Sequence, residues 1–357
     1  MNRQLLIALV FPFSLVAEDV PPLRELSREN LLEYRDEAGV RHQATSAAEW
    51  TRRREEALEG FQRVAGKLPG DEMRSPLEMK VLETTDCGSY VRRLIEYQSS
   101  PGGWVPAYLC VPKVATNDAP APAVLCLHPT ENQIGHKVVV GLGGKPHRQY
   151  AAELAERGLV TLAPSYPLLA QYQPDLKSLG FESGTMKAIW DNVRGLDLLE
   201  SLPEVAQKQG FGVIGHSLGG HNAIFTAVFD PRLKVVVSSC GFDSFLDYKG
   251  GNLQGWVQER YMPRMGDYLG QPKDVPFDFY ELVAALAPRR VLVNAPRHDA
   301  NFQWESVDRI ATAAAPVFDL LGASNALMIR HPDADHDFPD SVRFEAYEVI
   351  VEGLKMK

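Results

Sequence analysis

The sequence predicts an α/β fold: a mainly parallel central sheet with helices on both faces and antiparallel strands at its N-terminal edge. From residue 124 onward, short continuous apolar runs alternate with segments of helical periodicity, a pattern typical of strands buried on both faces. Before them, two strand-like runs joined by a Pro-Gly-Gly turn predict an antiparallel hairpin. The chain has 357 residues, 45% hydrophobic and 23% charged. It is long and apolar enough to bury a sizeable core, and a long disordered chain is excluded.

The N-terminal segment predicts export. Arg3 is followed by an almost wholly apolar run over residues 5–17 that ends at the small residue Ala17. This pattern predicts a signal peptide over residues 1–17, with the mature chain starting at Glu18 and a secreted or periplasmic location. The run is too short to span a bilayer and no later run is long enough, so we expect no stable membrane insertion.

Residues 18–76 are predicted to form an N-terminal helical extension. The sequence is polar and irregular as far as residue 45. The stretch 47–65 then has the spacing of a charged, amphipathic helix, ended by Gly66 and Pro69. Its run of arginines and glutamates is interpreted as a solvated helix face.

The main domain, residues 77–357, opens with three strand-like segments and then alternates strands and helices. The predicted strands span residues 77–84, 89–97, 105–111, 124–127, 159–163, 211–215, 233–239, 290–294 and 326–330. The predicted helices span residues 150–157, 186–201, 221–229, 279–287 and 307–320. Two stretches, 129–146 and 248–276, interrupt the alternation, and loops of this length often carry function. We expect the second to form a short cap-like insertion, and whether it moves as a lid stays open.

Charge and cysteine content narrow the possible partners. The chain carries 37 basic and 46 acidic residues, a net charge of -9, without a basic stripe, so we expect no nucleic-acid partner. The oligomeric state is not set by the sequence. The four cysteines have the wrong spacing for a zinc site and are interpreted as buried free thiols, although a Cys87–Cys110 bridge is left open.

A strand–turn–helix motif predicts a nucleophilic serine. Residues 215–220 read Gly-His-Ser-Leu-Gly-Gly, which matches GxSxG, between a predicted strand and a predicted helix. The two motif glycines leave room for a tight turn. That turn places Ser217 at the carboxyl edge of the sheet, where open α/β folds bind ligands.

A serine needs a base, and a base needs an acid to orient it. In chains with this motif, the Asp or Glu usually comes after the serine, and the His comes last. His336, in the loop after the last predicted strand, is the expected base, and His331 is interpreted as strand-end packing. Asp299, after the strand at 290–294, is the expected acid, with Asp243 as the alternative.

Two backbone N–H groups must stabilise the oxyanion. One is expected from Leu218, directly after the nucleophile. The other should come from the loop after the strand at 124–127, where Pro129 has no N–H, so it is assigned to Thr130. The alternating acids Asp333, Asp335 and Asp337 lack the rest of a calcium loop. No metal or cofactor is therefore expected.

These motifs resemble the α/β-hydrolase superfamily over residues 77–357. Within it, the chain is similar to the dienelactone hydrolase and acetyl xylan esterase-like groups, on Pro106-Ala107-Tyr108-Leu109, Gly215–Gly220, the Asp299 loop and His336-Asp337-Phe338. Dienelactone hydrolases have cysteine at the nucleophile position of this strand–turn–helix motif, which is called the nucleophile elbow. This chain has Ser217 there. Acetyl xylan esterases carry Gln after the serine and His-Glu at the base, where this chain has Leu218 and His336-Asp337.

The residues and the resemblance together predict a serine carboxylic-ester hydrolase that needs no cofactor. The expected substrate is a small molecule or glycan, a short acyl ester of a carbohydrate or plant-derived alcohol. This expectation about the substrate rests on the predicted export and on six aromatic residues that could stack on sugars. They are Trp256, Tyr261, Tyr268, Phe277, Phe279 and Tyr280. Two alternatives stay open: a serine peptidase of the prolyl oligopeptidase type, and a non-catalytic binding module on the same fold.

Overall fold

A computed structural model describes residues 26–355. Its strands are β1 (Glu33–Arg35), β2 (Arg41–Gln43), β3 (Lys80–Asp86), β4 (Tyr90–Ser100), β5 (Gly103–Pro112), β6 (Ala123–Leu127), β7 (Val160–Pro164), β8 (Phe211–His216), β9 (Leu233–Ser239), β10 (Arg290–Asn294) and β11 (Leu327–Arg330). Its α-helices are α1 (Ala47–Ala65), α2 (Tyr150–Glu156), α3 (Gly184–Ser201), α4 (Leu218–Phe229), α5 (Phe279–Ala284), α6 (Trp304–Leu320) and α7 (Asp340–Gly353).

Nine strands form one sheet in the order β11-β10-β9-β8-β6-β7-β5-β4-β3. The strands from β11 to β7 run parallel, and β5, β4 and β3 pair antiparallel. The predicted hairpin is the β4–β5 pair, whose turn places Gly102 at φ 76°. The predicted fold class is confirmed.

The sheet is covered on both faces, because successive strand residues point to opposite sides. Leu125 and Val213 pack into a core shared with α1, α3, α4, α5 and α6. Cys126 and Ile214, one residue further along, pack into a second core with α2 and α7. Strands apolar on both faces are what this layering requires.

Three parts of the chain differ from the expectation. The polar stretch before residue 45 was expected to be irregular, but it contains the small antiparallel pair β1–β2. Helix α7 was not predicted, although Pro339 and an apolar spacing at Val342, Ala346 and Ile350 mark it. The insertion 248–276 consists of short 3₁₀ turns, Tyr248–Gly250, Leu253–Trp256, Pro263–Tyr268 and Pro272–Asp274.

The predicted signal peptide, residues 1–17, lies outside the described residues. Within residues 26–355, none of the helices combines the length and the apolar character that crossing a membrane requires. All four cysteines lie in this range and are free thiols, so the Cys87–Cys110 bridge is absent from the structure.

Candidate active site

Ser217 lies at the sharp turn between β8 and α4. Its backbone has φ 56° and ψ -120°, outside the regions that a serine normally occupies. Such a conformation costs on the order of 1–3 kcal/mol and is held only by its surroundings. Here the Ser217 N–H donates to the carbonyl of Ser239 at 2.7 Å, which ties the turn to the end of β9.

The two motif glycines are required by close backbone approaches. A Cβ on Gly215 would lie 2.1 Å from the carbonyl oxygen of Gly219. A Cβ on Gly219 would lie 2.0 Å from the carbonyl oxygen of Leu127, at the end of β6. Only glycine permits these contacts, so the turn can be this tight only with the sequence found here.

His336 and Asp299 form the hydrogen-bonded pair that the sequence predicts. His336 Nδ1 lies 2.8 Å from Asp299 Oδ2 and 2.9 Å from Oδ1. Asp299 Oδ1 also accepts the N–H groups of Asn301 (2.7 Å) and Phe302 (3.3 Å). The Asp299 carboxylate is 1% exposed and the His336 ring 24% exposed. A carboxylate on Nδ1 makes this nitrogen the protonated one and leaves Nε2 for proton transfer.

The expected base, His336, lies beside the turn that carries Ser217. The ring centroid of His336 lies 4.9 Å from that of His216, the residue directly before Ser217. His216 is 1% exposed, and its Nδ1 lies 2.9 Å from the hydroxyl of Ser239. Burial, together with the nearby Arg148 charge, holds the pKa of His216 well below its usual range, so His216 stays neutral beside His336.

The competing histidine is fully engaged elsewhere. His331 Nδ1 lies 2.7 Å from the carbonyl oxygen of Ala295, and its Nε2 lies 2.8 Å from Asp308 Oδ1. With both ring nitrogens bonded, His331 has no nitrogen left for a serine. This agrees with its interpretation as a strand-end residue.

The alternative acid, Asp243, does not bond to His336. It is 1% exposed, its Oδ2 accepts the Gln303 N–H at 3.1 Å, and its Oδ1 has no hydrogen-bond partner. Burial raises the pKa of Asp243 to about 8. A carboxyl that is neutral at pH 7 cannot stabilise an imidazolium as Asp299 can.

The two expected oxyanion donors lie on adjacent segments, Leu218 directly after Ser217 and Thr130 in the loop after β6, the strand next to β8. Leu218 is the first residue of α4, where N–H groups have no partner within the helix and the helix dipole favours negative charge. Thr130 follows β6, and its hydroxyl lies 3.1 Å from the Tyr261 hydroxyl. This bond links the β6 loop to the insertion 248–276.

Four aromatic residues, Phe302, Tyr248, Trp256 and Tyr261, form an arc of rings that we call the aromatic arc. Successive centroids, starting from His336, lie 6.1, 5.8, 5.7 and 6.1 Å apart. The arc therefore runs from the base to Tyr261, which contacts Thr130. Of the six aromatic residues expected to stack on sugars, four are buried in the core and are not available: Trp256, Phe277, Phe279 and Tyr280. Tyr261 and Tyr268 are half-buried.

Among the described residues, one group could offer three metal-ligand atoms: Cys240, Asp299 and His336, whose atoms lie within 4.8 Å of one another. Burial and the Asp299 charge raise the pKa of the Cys240 thiol well above its usual value. A protonated thiol is a poor ligand, and the carboxylate and imidazole already bond to each other. Of the alternating acids, Asp333 bonds to His298 and Asp337 to Arg148 and His147.

Sequence reasoning did not identify Cys240, Asn294 or Arg148 as neighbours of this site. Cys240 and Asn294 sit at the ends of adjacent parallel strands, and that position in the pattern could have indicated them. Nothing in the sequence around Arg148 points to the His336 loop, because their contact joins segments far apart in the chain.

Comparisons with known proteins find similarity to esterases. A family model described as fungal glucuronyl esterase matches residues 178–322, which hold Ser217 and Asp299. The hydrolase YtaP of Bacillus subtilis (strain 168) is 25% identical over 303 residues, covering 82% of this chain and 97% of that protein.

Solved structures show the same fold. A glucuronoyl esterase from Solibacter usitatus has a TM-score of 0.72 and 20% identity, covering 93% of this chain and 99% of that one. Acetyl xylan esterase 1 from Thermoanaerobacterium sp. JW/SL YS485 has a TM-score of 0.55 and 20% identity, covering 84% and 99%. The chain thus has the same fold as these two esterases.

Proposed function

We propose that this chain is a serine esterase that hydrolyses carbohydrate esters, with Ser217 as nucleophile, His336 as general base and Asp299 as the acid that orients it. One observation carries the proposal: the strained turn at Ser217 directly follows His216, whose ring packs against the same His336 that is bonded to Asp299. All three residues lie in the main domain predicted over residues 77–357.

The geometry supports a two-step acyl transfer. Nε2 of His336 takes the Ser217 proton as Oγ attacks the ester carbonyl carbon, and Asp299 stabilises the imidazolium. The tetrahedral intermediate then collapses as the imidazolium protonates the leaving alcohol, which breaks the ester C–O bond. Water, deprotonated by His336, attacks the acyl-enzyme, and Ser217 regains its proton as the acid departs.

The backbone N–H groups of Leu218 and Thr130 are the proposed oxyanion donors. Each such donor is worth about 3–4 kcal/mol of transition-state stabilisation in serine hydrolases. Supporting features are the place of Leu218 at the N-terminus of α4 and the bond that ties Thr130 to Tyr261.

For the substrate we propose an ester of a uronic acid, in which the sugar ring is on the acyl side of the scissile bond. The fungal glucuronyl esterase model and the similarity to the Solibacter usitatus glucuronoyl esterase support this class. The half-buried rings of the aromatic arc, Phe302, Tyr248 and Tyr261, also support it, because partly exposed aromatic faces can pack against sugar rings. An exported protein, as the N-terminal sequence predicts, would meet such esters in plant material.

A second candidate is the removal of a short acyl group from a sugar hydroxyl. The similarity to acetyl xylan esterase 1 favours it. In this case the sugar leaves as the alcohol, and the acyl side needs room only for an acetyl group.

The experiment is a comparison of initial rates on four substrates for the wild type and for Ser217→Ala. The substrates are benzyl glucuronate, an acetylated xylo-oligosaccharide, p-nitrophenyl acetate and a p-nitroanilide peptide. We expect benzyl glucuronate to have the highest kcat/KM and the variant to lose at least about 10³-fold, since catalysis without the nucleophile is small.

Other outcomes reject parts of the proposal. Preference for the acetylated oligosaccharide would replace the uronate ester by the second candidate. Cleavage of the anilide without ester turnover would identify a peptidase. Turnover that survives in Ser217→Ala would remove the serine mechanism, and binding without any turnover would indicate a non-catalytic module.

A further inference from the structure

The loop that carries His336 is held by a buried arginine in addition to Asp299. Arg148, which precedes α2, is 4% exposed. Its Nη1 donates to Asp337 Oδ1 at 2.5 Å, and its Nη2 donates to the carbonyl oxygen of His336 at 3.2 Å. One guanidinium thus binds the backbone of the expected base and the side chain of the next residue.

The arginine and the carboxylate are themselves fixed. Arg148 Nη1 also lies 3.2 Å from the carbonyl oxygen of Pro146 and 3.3 Å from that of His147. His147 Nδ1 lies 2.9 Å from Asp337 Oδ2, so both carboxylate oxygens have a partner. Partial burial raises the pKa of Asp337, but the bonds from Arg148 and His147 outweigh this and lower it overall, so the carboxylate is ionised.

The carbonyl of Asp337 is held from the strand side. Asn294 Nδ2 donates to it at 2.9 Å, and the Cys240 thiol donates to it at 3.2 Å. Because Arg148 donates to the His336 carbonyl, the carbonyls of His336 and Asp337 both accept hydrogen bonds from side chains. The His336 ring has hydrogen bonds only to Asp299, so its position depends on how firmly this backbone is held.

We propose that Arg148 is a positioning residue for the general base, acting through the His336 carbonyl and the Asp337 carboxylate. The proposal rests on the proposed function, in which His336 is the base. Arginine suits this role because its planar fork offers two donors in fixed directions, whereas lysine offers a single point charge.

The test compares Arg148→Gln with Arg148→Lys, Asp337→Asn and the double variant Arg148→Gln/Asp337→Asn. A displacement of the base by about 1 Å costs about 10²-fold in rate, so we expect kcat of Arg148→Gln to fall about 10- to 100-fold with a smaller change in KM. Arg148→Lys should recover part of the loss. The double variant should lose little more than either single one, because the two groups act as a pair.

Arg53→Gln is the matched control. Arg53 is another buried arginine with one carboxylate partner, Glu281 at 2.8 Å, and one carbonyl partner, Ser27 at 3.3 Å, and it lies on α1. We expect the control to lower the free energy of unfolding while kcat stays near the wild-type value.

A spectroscopic readout separates this proposal from the proposed function. The low-field proton resonance of a His Nδ1–H bonded to a carboxylate reports the His336–Asp299 pair without any substrate. We expect it in the wild type and Arg53→Gln, and we expect it broadened or lost in Arg148→Gln. If the wild type hydrolyses no ester, the proposed function fails while this resonance still tests Arg148. If Arg148→Gln keeps both kcat and the resonance, Arg148 has only a structural role and the proposal is wrong.

Discussion

His336 and His331 lie in one loop, and Asp299 and Asp243 follow neighbouring strands, yet only one of each pair suits the chemistry. His331 has both ring nitrogens bonded, whereas His336 bonds only through Nδ1. Chain order and loop position predicted His336 and Asp299. The sequence could not show the burial of Asp243, because burial depends on Gln303 and other residues that the fold brings beside it.

The neutral state of Asp243 gives a prediction about stability and pH. The folded-state pKa, about 8, lies above the usual value near 3.8, so the folded protein holds a proton that the unfolded chain releases. Stability from this site is present below about pH 4 and is lost as pH rises towards about 8. Asp243→Asn, which stays neutral, should therefore gain stability relative to the wild type as pH rises from about 5 to about 8, by up to several kcal/mol.

Urea unfolding of Asp243→Asn at pH 5 and pH 8 checks this, with the gain expected to grow with pH. Asp247→Asn is the control, since Asp247 accepts a hydrogen bond from Ser306 and pairs with Arg309 at 2.8 Å. It should be destabilised at both pH values. A stability difference between Asp243→Asn and wild type that does not change with pH would contradict the neutral carboxyl.

At the scale of elements, the strands and helices of the main domain other than α7 were predictable because each combines a clear hydrophobic pattern with turn residues. The pair β1–β2 was not, because its strands have three residues each and β2 is wholly exposed, so no apolar alternation marks it. The aromatic residues between positions 248 and 280 were also ambiguous. Their sequence spacing does not distinguish rings that face a site from rings such as Phe277 that fill the core.

The helix α1 packs as part of the main core. Phe61 is fully buried, with ring centroids 5.0 Å from Phe225, 5.5 Å from Phe229 and 4.9 Å from Phe277. Phe61→Ala should therefore cost about 3–5 kcal/mol of unfolding free energy in a single cooperative transition, because it leaves a cavity among these rings.

Denaturant unfolding followed by fluorescence and circular dichroism measures this cost. Phe344→Ala is a matched control, since Phe344 is 40% exposed on α7, and we expect a change within about 1 kcal/mol. Two separate transitions, or a loss for Phe61→Ala no larger than that of the control, would mean that the extension folds apart from the main domain.

At the scale of the whole molecule, the site is assembled from five separate segments at the carboxyl ends of parallel strands. Ser217 follows β8, Asp299 follows β10, His336 follows β11, Thr130 follows β6 and Cys240 follows β9. The sequence predicted that these segments lie close together, because the carboxyl ends of parallel strands share one edge of the sheet. It could not predict the Arg148 contact, which comes from a loop before α2 and depends on how that loop crosses the edge.

The most direct test of the central claim is labelling by an organophosphonate, with peptide mapping to find the modified residue and a rate for each variant. We predict one label per chain on Ser217, absent in Ser217→Ala, and slowed by at least about 10³-fold in His336→Ala but unchanged in His331→Ala. Labelling of another residue, or equal rates for His336→Ala and the wild type, would contradict the assignment of Ser217 and His336.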